Sequence, residues 1–143
     1  MNPEQLLPPG SIERARDQLR RDELIKAIKT CRRGNHDLSV LAAEFEACVR
    51  NFFSRRDYGN ILSAYHLADE QLGPYTVADL LRAMWKVGDV SGFLNQAYRF
   101  RALDGFEDEI EEAIRVHESK GFLDAAAWRR KFAELKEGRE SNE

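Results

Sequence analysis

Apolar residues recur at intervals of three and four along nearly the whole chain, the spacing that predicts amphipathic helices. One stripe runs from Leu24 to Cys31 and stops at Gly34-Asn35. The strongest stripe follows it and predicts a deeply buried helix over 38–53. Its members are Leu38, Leu41, Ala42, Phe45, Cys48, Val49, Phe52 and Phe53. The pattern therefore predicts a chain built from helices.

Proline, glycine and aspartate residues divide the remaining pattern into further helices joined by tight turns. Ser11 is placed to cap the first helix, and Asp57 caps a helix that ends at Gly73-Pro74. Further helices begin near Thr76, Phe93, Ile110 and Leu123. We expect an all-α fold of about eight helices. Residues 1–10 are predicted as an extended arm, 11–137 as one helical-repeat domain, and 138–143 as a frayed polar tail.

A short pattern at helix starts repeats along the chain. Arg56-Asp57-Tyr58 begins one helix, Gly88-Asp89-Val90 another and Gly121-Phe122-Leu123 a third, at steps of 32 and 33 residues. Helical-hairpin repeats such as the tetratricopeptide repeat (TPR) have a period of about 34 residues. The usual TPR consensus residues are mostly missing here. The spacing therefore predicts a TPR-like right-handed superhelix of about seven to eight antiparallel helices.

Residues 23–74 resemble a family of respiratory-chain subunits. The segment begins Glu23-Leu24-Ile25-Lys26-Ala27-Ile28-Lys29-Thr30 and continues through Asp37-Leu38 and Ala47-Cys48-Val49-Arg50 to Arg56-Asp57-Tyr58 and Gly73-Pro74. This order of residues is similar to the helical core of cytochrome c oxidase subunit Va. From Asp37 to Pro74 the two patterns align without a gap, whereas this chain has about two extra residues near Gly34.

The resemblance implies a non-catalytic structural or assembly subunit associated with mitochondrial cytochrome c oxidase. It implies a location on the matrix side of the mitochondrial inner membrane and, as partners, other subunits of the oxidase. It covers 23–84 as a core, and the helices of 85–137 are additional to the family's pattern. Such an addition would suit a divergent mitochondrial lineage such as that of the trypanosomatids.

Composition and charge narrow the classes of partner. The 143 residues carry a net charge of -3, so no basic surplus favours nucleic acid. No apolar stretch approaches the roughly 20 residues of a transmembrane helix. Cys31 and Cys48 both lie in apolar stripes, which indicates two reduced core thiols and an interior compartment. Residues 11–21 are Arg-rich and amphipathic, but Glu13 and Asp17 are unlike a mitochondrial presequence.

The sequence offers no pattern typical of catalysis or cofactor binding. None of the three histidines has a second histidine or a cysteine one helical turn away, so we expect no metal site. There is no GxSxG, and neither cysteine has a neighbouring histidine. Gly88-Asp89-Val90-Ser91-Gly92 lacks the lysine of a phosphate-binding loop. We therefore expect no enzyme activity and no cofactor.

Large amphipathic side chains near turns are the best candidates for recognition of a protein partner. We select Tyr65, Trp85 and Tyr98 together with Arg55 and Arg56, because aromatic residues and arginines dominate interface energies. Ordinary interhelical packing of the aromatics and solvation of the arginines are the alternatives. If the oxidase is not the partner, the same fold predicts a free-standing TPR-like adaptor that binds a peptide or helix in its concave groove. An RNA-binding helical repeat is a third hypothesis, which the acidic balance opposes.

Overall fold

Every regular element in residues 7–141, the part of the chain that the computed structural model describes, is a helix. The eight α-helices confirm the all-α prediction. They are α1 (Ile12–Arg20), α2 (Leu24–Arg33), α3 (Ala42–Ser54), α4 (Tyr58–Ala68), α5 (Val77–Lys86), α6 (Val90–Arg99), α7 (Glu107–Ser119) and α8 (Ala125–Ser141). A short 3-10 helix, Leu38–Leu41, precedes α3.

Side chains before some of the helices accept hydrogen bonds from free backbone N–H groups of the first turn. Asp57, predicted to cap α4, precedes that helix but makes no such bond. The Arg14 backbone N–H donates to Ser11 Oγ at 3.1 Å, which confirms the predicted cap of α1. At α5 the cap is reciprocal. The Asp79 N–H donates to Thr76 Oγ1 and the Thr76 N–H donates to Asp79 Oδ2, both at 3.1 Å. This arrangement is a capping box, which fixes where the helix begins.

Each of the helices α1 to α7 ends in the same type of turn. At the first of these turns, the Glu23 N–H donates to Gln18 O at 2.9 Å and the Asp22 N–H donates to Leu19 O at 3.1 Å. Asp22 has φ 60°, so the turn is a Schellman motif with its left-handed residue in place. The equivalent left-handed residues are Asp22, Asn35, Arg56, Asp69, Gly88, Arg101 and Gly121.

These turns give the predicted repeat a structural basis. The left-handed residues that close α1, α3, α5 and α7 follow one another after 34, 32 and 33 residues. Those that close α2, α4 and α6 follow after 34 and 32 residues. The chain is thus a series of four helix pairs of similar length. The right-handed superhelical arrangement of these pairs stays a prediction.

The chain divides into two compact units, and the first ends at Leu80. In this unit α1 packs on α2 and α3, while α4 packs on α2 and α3. Apolar side chains from these helices form its core. Deeply buried members include Ala27, Ile28, Cys31, Leu41, Phe45, Cys48, Val49, Ile61, Leu62 and Tyr65.

The second unit begins at Leu81, within α5. Here α6 packs on α7 and α8, and α7 packs on α8. Its core contains Leu81, Met84, Phe93, Leu94, Ala97, Ile110, Ala113, Ile114, Trp128 and Phe132. The sequence predicts one domain over 11–137, with a subunit-Va-like core that ends at residue 84. The boundary between the two compact units lies a few residues earlier, after Leu80. The single domain stays a prediction.

Several predicted boundaries are wrong for local reasons. The stripe over 38–53 is not one helix, because Asp37 caps the 3-10 turn through the Ser39 N–H at 2.9 Å before α3 begins. α4 does not reach Gly73-Pro74, since Asp69 takes φ 57° and ends it.

The predicted ends of the chain also need correction. Residues 1–6 of the extended arm lie outside the described residues. The arm's end is a turn, in which Gly10 has φ 78° and the Ser11 N–H donates to Pro8 O. At the other terminus α8 continues past Gly138 to Ser141, and 142–143 lie outside the described residues.

Candidate functional site

The two predicted arginines lie in a shallow cleft at one edge of the first unit, which we call the turn cleft. It is lined by Arg21, Asp22, Phe52, Arg55, Arg56 and Asp57. Asp22 and Arg56 are the left-handed residues that close α1 and α3, the first helices of the first two pairs. The repeated turn therefore brings these charged residues to the same edge of the unit.

Arg55 is largely committed to contacts inside the protein. Its Nη1 lies 3.2 Å from Asp22 Oδ2, and its guanidinium lies over the Phe52 ring at 4.7 Å from the centroid. The Asn51 amide reaches the same carboxylate at 3.4 Å. These contacts connect the α1–α2 turn to the end of α3. About half of the Arg55 side chain is still exposed, so a partner can contact its outer edge.

Arg56 is the more available of the two arginines. Its backbone is held in the Schellman turn by its N–H, which donates to Phe53 O at 3.0 Å. Its side chain is exposed, and within the described residues it forms no ion pair or hydrogen bond. A guanidinium on a fixed turn suits two-pronged binding of a carboxylate. The structure thus leaves Arg56 free for the role predicted for it.

Tyr65 belongs to the core of the first unit rather than to an open surface. It is 2% exposed, and its hydroxyl donates to Tyr75 O at 3.0 Å. Burial raises the pKa of this phenol to about 12, and the nearby Tyr75 and Asp79 add to the shift. Interhelical packing, the alternative to partner recognition, accounts for Tyr65. A partner cannot reach this side chain in the folded unit.

The other two aromatic candidates lie in the second unit. Trp85 is half-buried, and its ring centroid is 5.2 Å from that of Phe93. Tyr98 is 37% exposed and contacts Trp128 and Phe132 edge-on, with centroids 6.2 and 5.8 Å away. The five predicted residues are therefore not brought together as one site. Three belong to the first unit and two to the second.

Tyr98 lies in a groove along α8 that we call the α8 groove. The Lys131 ammonium lies over the rings of Tyr98 and Trp128, at 5.5 and 4.9 Å from their centroids. The groove is lined by Tyr98, Arg99, Arg101, Leu103, Asp104, Lys131, Glu134, Leu135 and Gly138. An aromatic floor beside several cations is a surface that suits a peptide with acidic and apolar side chains.

The structure also assembles a polar network in the second unit that the sequence analysis missed. His117 is 2% exposed, and its two ring nitrogens contact different partners. Nδ1 lies 3.0 Å from Asp124 Oδ1, and Nε2 lies 3.2 Å from Ser91 Oγ. Trp128 Nε1 donates to the other carboxylate oxygen of Asp124 at 3.1 Å. Three helices thus contribute to one hydrogen-bonded chain.

Only one of these residues had a signal in the sequence. His117 continues the apolar stripe of α7 formed by Ile110 and Ile114, which marks it as a buried histidine in need of partners. Ser91 lies 26 positions before it and belongs to α6, so only the packing of α6 on α7 brings them together. The hydrogen bond from His117 lowers the pKa of Asp124, and the bond from Trp128 adds to the effect.

Neither a metal-binding cluster nor a membrane-spanning helix is found among the described residues. No group of three or more His, Cys, Asp or Glu side chains there is arranged to hold a metal ion. None of the described helices has both the length and the apolar character needed to cross a membrane. Both cysteines are free and buried, as the sequence predicts, and burial raises the pKa of Cys48 to about 12.

Comparison with family models, with curated proteins and with solved structures finds no match to this chain. The resemblance to cytochrome c oxidase subunit Va therefore stays a prediction, which rests on the residues quoted from 23–74 alone.

Proposed function

We propose that this protein is a structural or assembly subunit associated with mitochondrial cytochrome c oxidase. In this role its helix pairs present fixed surfaces to neighbouring protein subunits, and the role itself needs no reacting group and no cofactor. The observation that carries the scaffold part of the proposal is the Schellman turn that closes each helix from α1 to α7. Repeated helix pairs of this kind serve as binding surfaces in many proteins.

The identity of the partner rests on the resemblance over residues 23–74. This segment includes α2, α3 and α4 of the first unit, and it ends in the Gly73-Pro74 turn. The helices after residue 85 are additional to the pattern of subunit Va, and such an addition would suit a protein from a divergent mitochondrial lineage. The trypanosomatid mitochondrial protein called MIX is the particular relative that we propose for comparison.

The basic residues of α2, together with Arg56, favour an acidic partner surface. The sequence of α2, LIKAIKTCRR, contains four basic residues and no acid. Lys29 and Arg33 are exposed on it, and Arg56 is exposed in the turn cleft. Arg32 instead makes a contact within the protein: its Nη2 donates a hydrogen bond to Ala68 O, at the end of α4, at 2.8 Å. Partner binding through the remaining cations should weaken as salt screens the charges.

Co-purification from mitochondrial membranes tests the proposal. The tagged full-length protein is recovered from detergent-solubilised membranes, and the bound proteins are identified by mass spectrometry. We expect oxidase subunits to be enriched over subunits of the other respiratory complexes. Protease protection in mitoplasts should place the protein on the matrix side of the inner membrane. An entirely cytosolic distribution of the full-length protein would contradict the proposal.

One observation favours the free-standing adaptor as a second candidate. The α8 groove combines the exposed ring of Tyr98 with the Lys131 ammonium, which suits a short peptide better than a flat subunit interface. A peptide array probed with the purified protein should then yield one dominant motif with acidic residues. Tyr98→Ala should remove that binding. Arg130→Ala changes an exposed residue of α8 outside the groove lining and should retain it. Binding of no peptide would leave the oxidase proposal alone.

A further inference from the structure

We propose that Ser91, His117 and Asp124 form a nucleophilic relay, in which Ser91 accepts acyl groups from activated esters. This inference goes beyond the scaffold role and rests on a different unit of the chain. A nucleophile, a base that contacts it and an acid that orients the base are recognised by geometry rather than by sequence position. The distances of 3.2 Å from Ser91 Oγ to His117 Nε2 and 3.0 Å from Nδ1 to Asp124 fit that arrangement.

The hydrogen bonds determine which ring nitrogen of His117 acts as the base. An ionised carboxylate only accepts, so the Asp124 contact requires a proton on Nδ1. In the neutral ring Nε2 is then the acceptor, and Ser91 donates its hydroxyl proton to it. Trp128 Nε1 donates to the second oxygen of Asp124 at 3.1 Å and thereby fixes the carboxylate. Asp124 is thus a positioning residue, and Ser91 and His117 are the catalytic residues.

Of the two catalytic residues, Ser91 is accessible to solvent and His117 is buried. Ser91 is exposed, so an ester can approach its hydroxyl. His117 is 2% exposed, and its ring also lies edge-on to Phe122 at 5.0 Å between centroids. The base is therefore held in one orientation while the nucleophile meets solvent. The network joins α6, α7 and the start of α8, so the packing of the second unit keeps it assembled.

The start of α6 supplies one donor for the negative charge that develops on the carbonyl oxygen. Ser91 is the second residue of α6, and its N–H has no acceptor among the described residues. The next N–H, that of Gly92, already donates to Asp89 Oδ1 at 3.0 Å. Loss of one such donor typically costs about 100- to 1000-fold in rate. This single-donor site therefore suits esters with good leaving groups rather than amides.

The reaction consumes one ester and one water. Ser91 Oγ attacks the carbonyl carbon while its proton passes to His117 Nε2, and collapse of the tetrahedral species breaks the ester C–O bond. The proton goes to the departing alcohol or phenol, and the acyl group remains on Ser91. Water then attacks the acyl carbon, gives a proton to His117 and releases the carboxylic acid. His117 returns its proton to Ser91 Oγ.

Labelling of the folded full-length chain tests the proposal. The protein is incubated with a fluorophosphonate probe and, separately, with p-nitrophenyl acetate, and the modified residue is identified by peptide mass spectrometry. We expect one adduct per chain, on Ser91. Ser119→Ala is the matched control, because Ser119 is exposed and its hydroxyl donates to Val116 O at 2.9 Å rather than to a histidine. It should label as the wild type does, whereas Ser91→Ala should lose the adduct.

Variants of the base and the positioning residue separate a relay from a merely structural network. A general base contributes roughly 100- to 10,000-fold, so His117→Gln should slow labelling at least 100-fold in a protein of unchanged helicity. Asp124→Asn should lower kcat for p-nitrophenyl acetate while KM stays within about twofold. If the wild type labels Ser91 no faster than Ser119, or if Ser91→Ala keeps the wild-type rate, the relay does not exist and the network is structural.

Discussion

At the scale of single residues, Gly34 shows how closely the chain packs on itself. Gly34 follows α2 and lies against the backbone of Gly10, so a Cβ atom at position 34 would collide with the Gly10 carbonyl oxygen and the His36 ring. Its own φ of -87° suits any residue. Glycine is therefore required there by space and not by backbone conformation. The sequence marks Gly34 as a helix stop, but it cannot reveal which segment lies against it.

Replacing glycines at two positions should have opposite effects on stability. Gly34→Ala forces backbone apart, and overpacking of this kind costs about 1–3 kcal/mol. Gly138→Ala lies within α8 with nothing within 4 Å of the new Cβ, and should stabilise by up to about 1 kcal/mol. Urea unfolding followed by circular dichroism measures both. Equal midpoints for the two variants would contradict the contact between Gly34 and Gly10.

The buried aromatic core should tolerate truncation poorly. Phe45 is 1% exposed, so Phe45→Ala should lower the free energy of unfolding by about 3–5 kcal/mol. Phe122 is 47% exposed, and the same truncation there should cost under about 1 kcal/mol. The comparison keeps residue type constant while burial changes. A loss below about 1 kcal/mol at Phe45 would mean that the core of the first unit is misplaced.

The two thiols should be unreactive in the native protein. Burial raises the pKa of Cys31, and it raises that of Cys48 to about 12. Because the thiolate is the reactive form, a raised pKa lowers its population at pH 8. Ellman's reagent at pH 8 should therefore modify both cysteines quickly only after denaturant is added. Rapid reaction of two thiols per chain in native buffer would show that these helices open readily.

At the scale of elements, the turns decide where helices end. The periodic pattern and Ser11 predict the existence of the helices and the start of α1, because these depend on neighbouring residues. The ends of α4 and α6 were harder to predict, since Asp69 and Arg101 take the left-handed conformation that glycine usually fills. The repeat is predicted at Arg56, Gly88 and Gly121, but not at Asp22, whose left-handed φ of 60° no glycine marks in the sequence.

Reciprocal substitutions at equivalent turns measure what this conformation costs. Gly88 has φ 79° with open space around it, so Gly88→Ala introduces only backbone strain and should cost about 1–2 kcal/mol. Arg56 has φ 61° at the equivalent position of an earlier pair. Arg56→Gly relieves that strain but gives the unfolded chain more freedom, so the net change should be within about 1 kcal/mol. Thermal melts of both variants test whether the turns are equivalent.

At the scale of the whole molecule, the predicted partner residues separate into surface and core. The sequence identifies exposed turns but not how much of each side chain the fold itself uses. Arg55 and Arg56 are adjacent in sequence, yet Arg55 is paired with Asp22 while Arg56 has no ion-pair partner in the part of the chain that the structure describes. Tyr65 looked equivalent to Tyr98 as an aromatic residue near a turn, yet it is buried. Only tertiary contacts distinguish the members of each pair.

Charge reversal at the two arginines should therefore have different consequences. Arg55→Glu places a second negative charge beside Asp22 and removes a partly exposed ion pair, which should lower stability by about 0.2–1 kcal/mol. Arg56→Glu breaks no contact in the described residues, so the melting temperature should stay unchanged. If the turn cleft binds an acidic partner, Arg56→Glu should still reduce recovery of oxidase subunits in the co-purification.

The matched control for this experiment is Arg130→Glu, which reverses an exposed charge in the second unit. It should leave both the melting temperature and the recovery at wild-type levels. Full recovery with Arg56→Glu, in a protein that melts like the wild type, would exclude the turn cleft as the contact surface. The scaffold role would then require another face, and the basic residues Lys29 and Arg33 on α2 would be the next to reverse. A loss specific to Arg56 would instead assign the partner contact to the repeated turn itself.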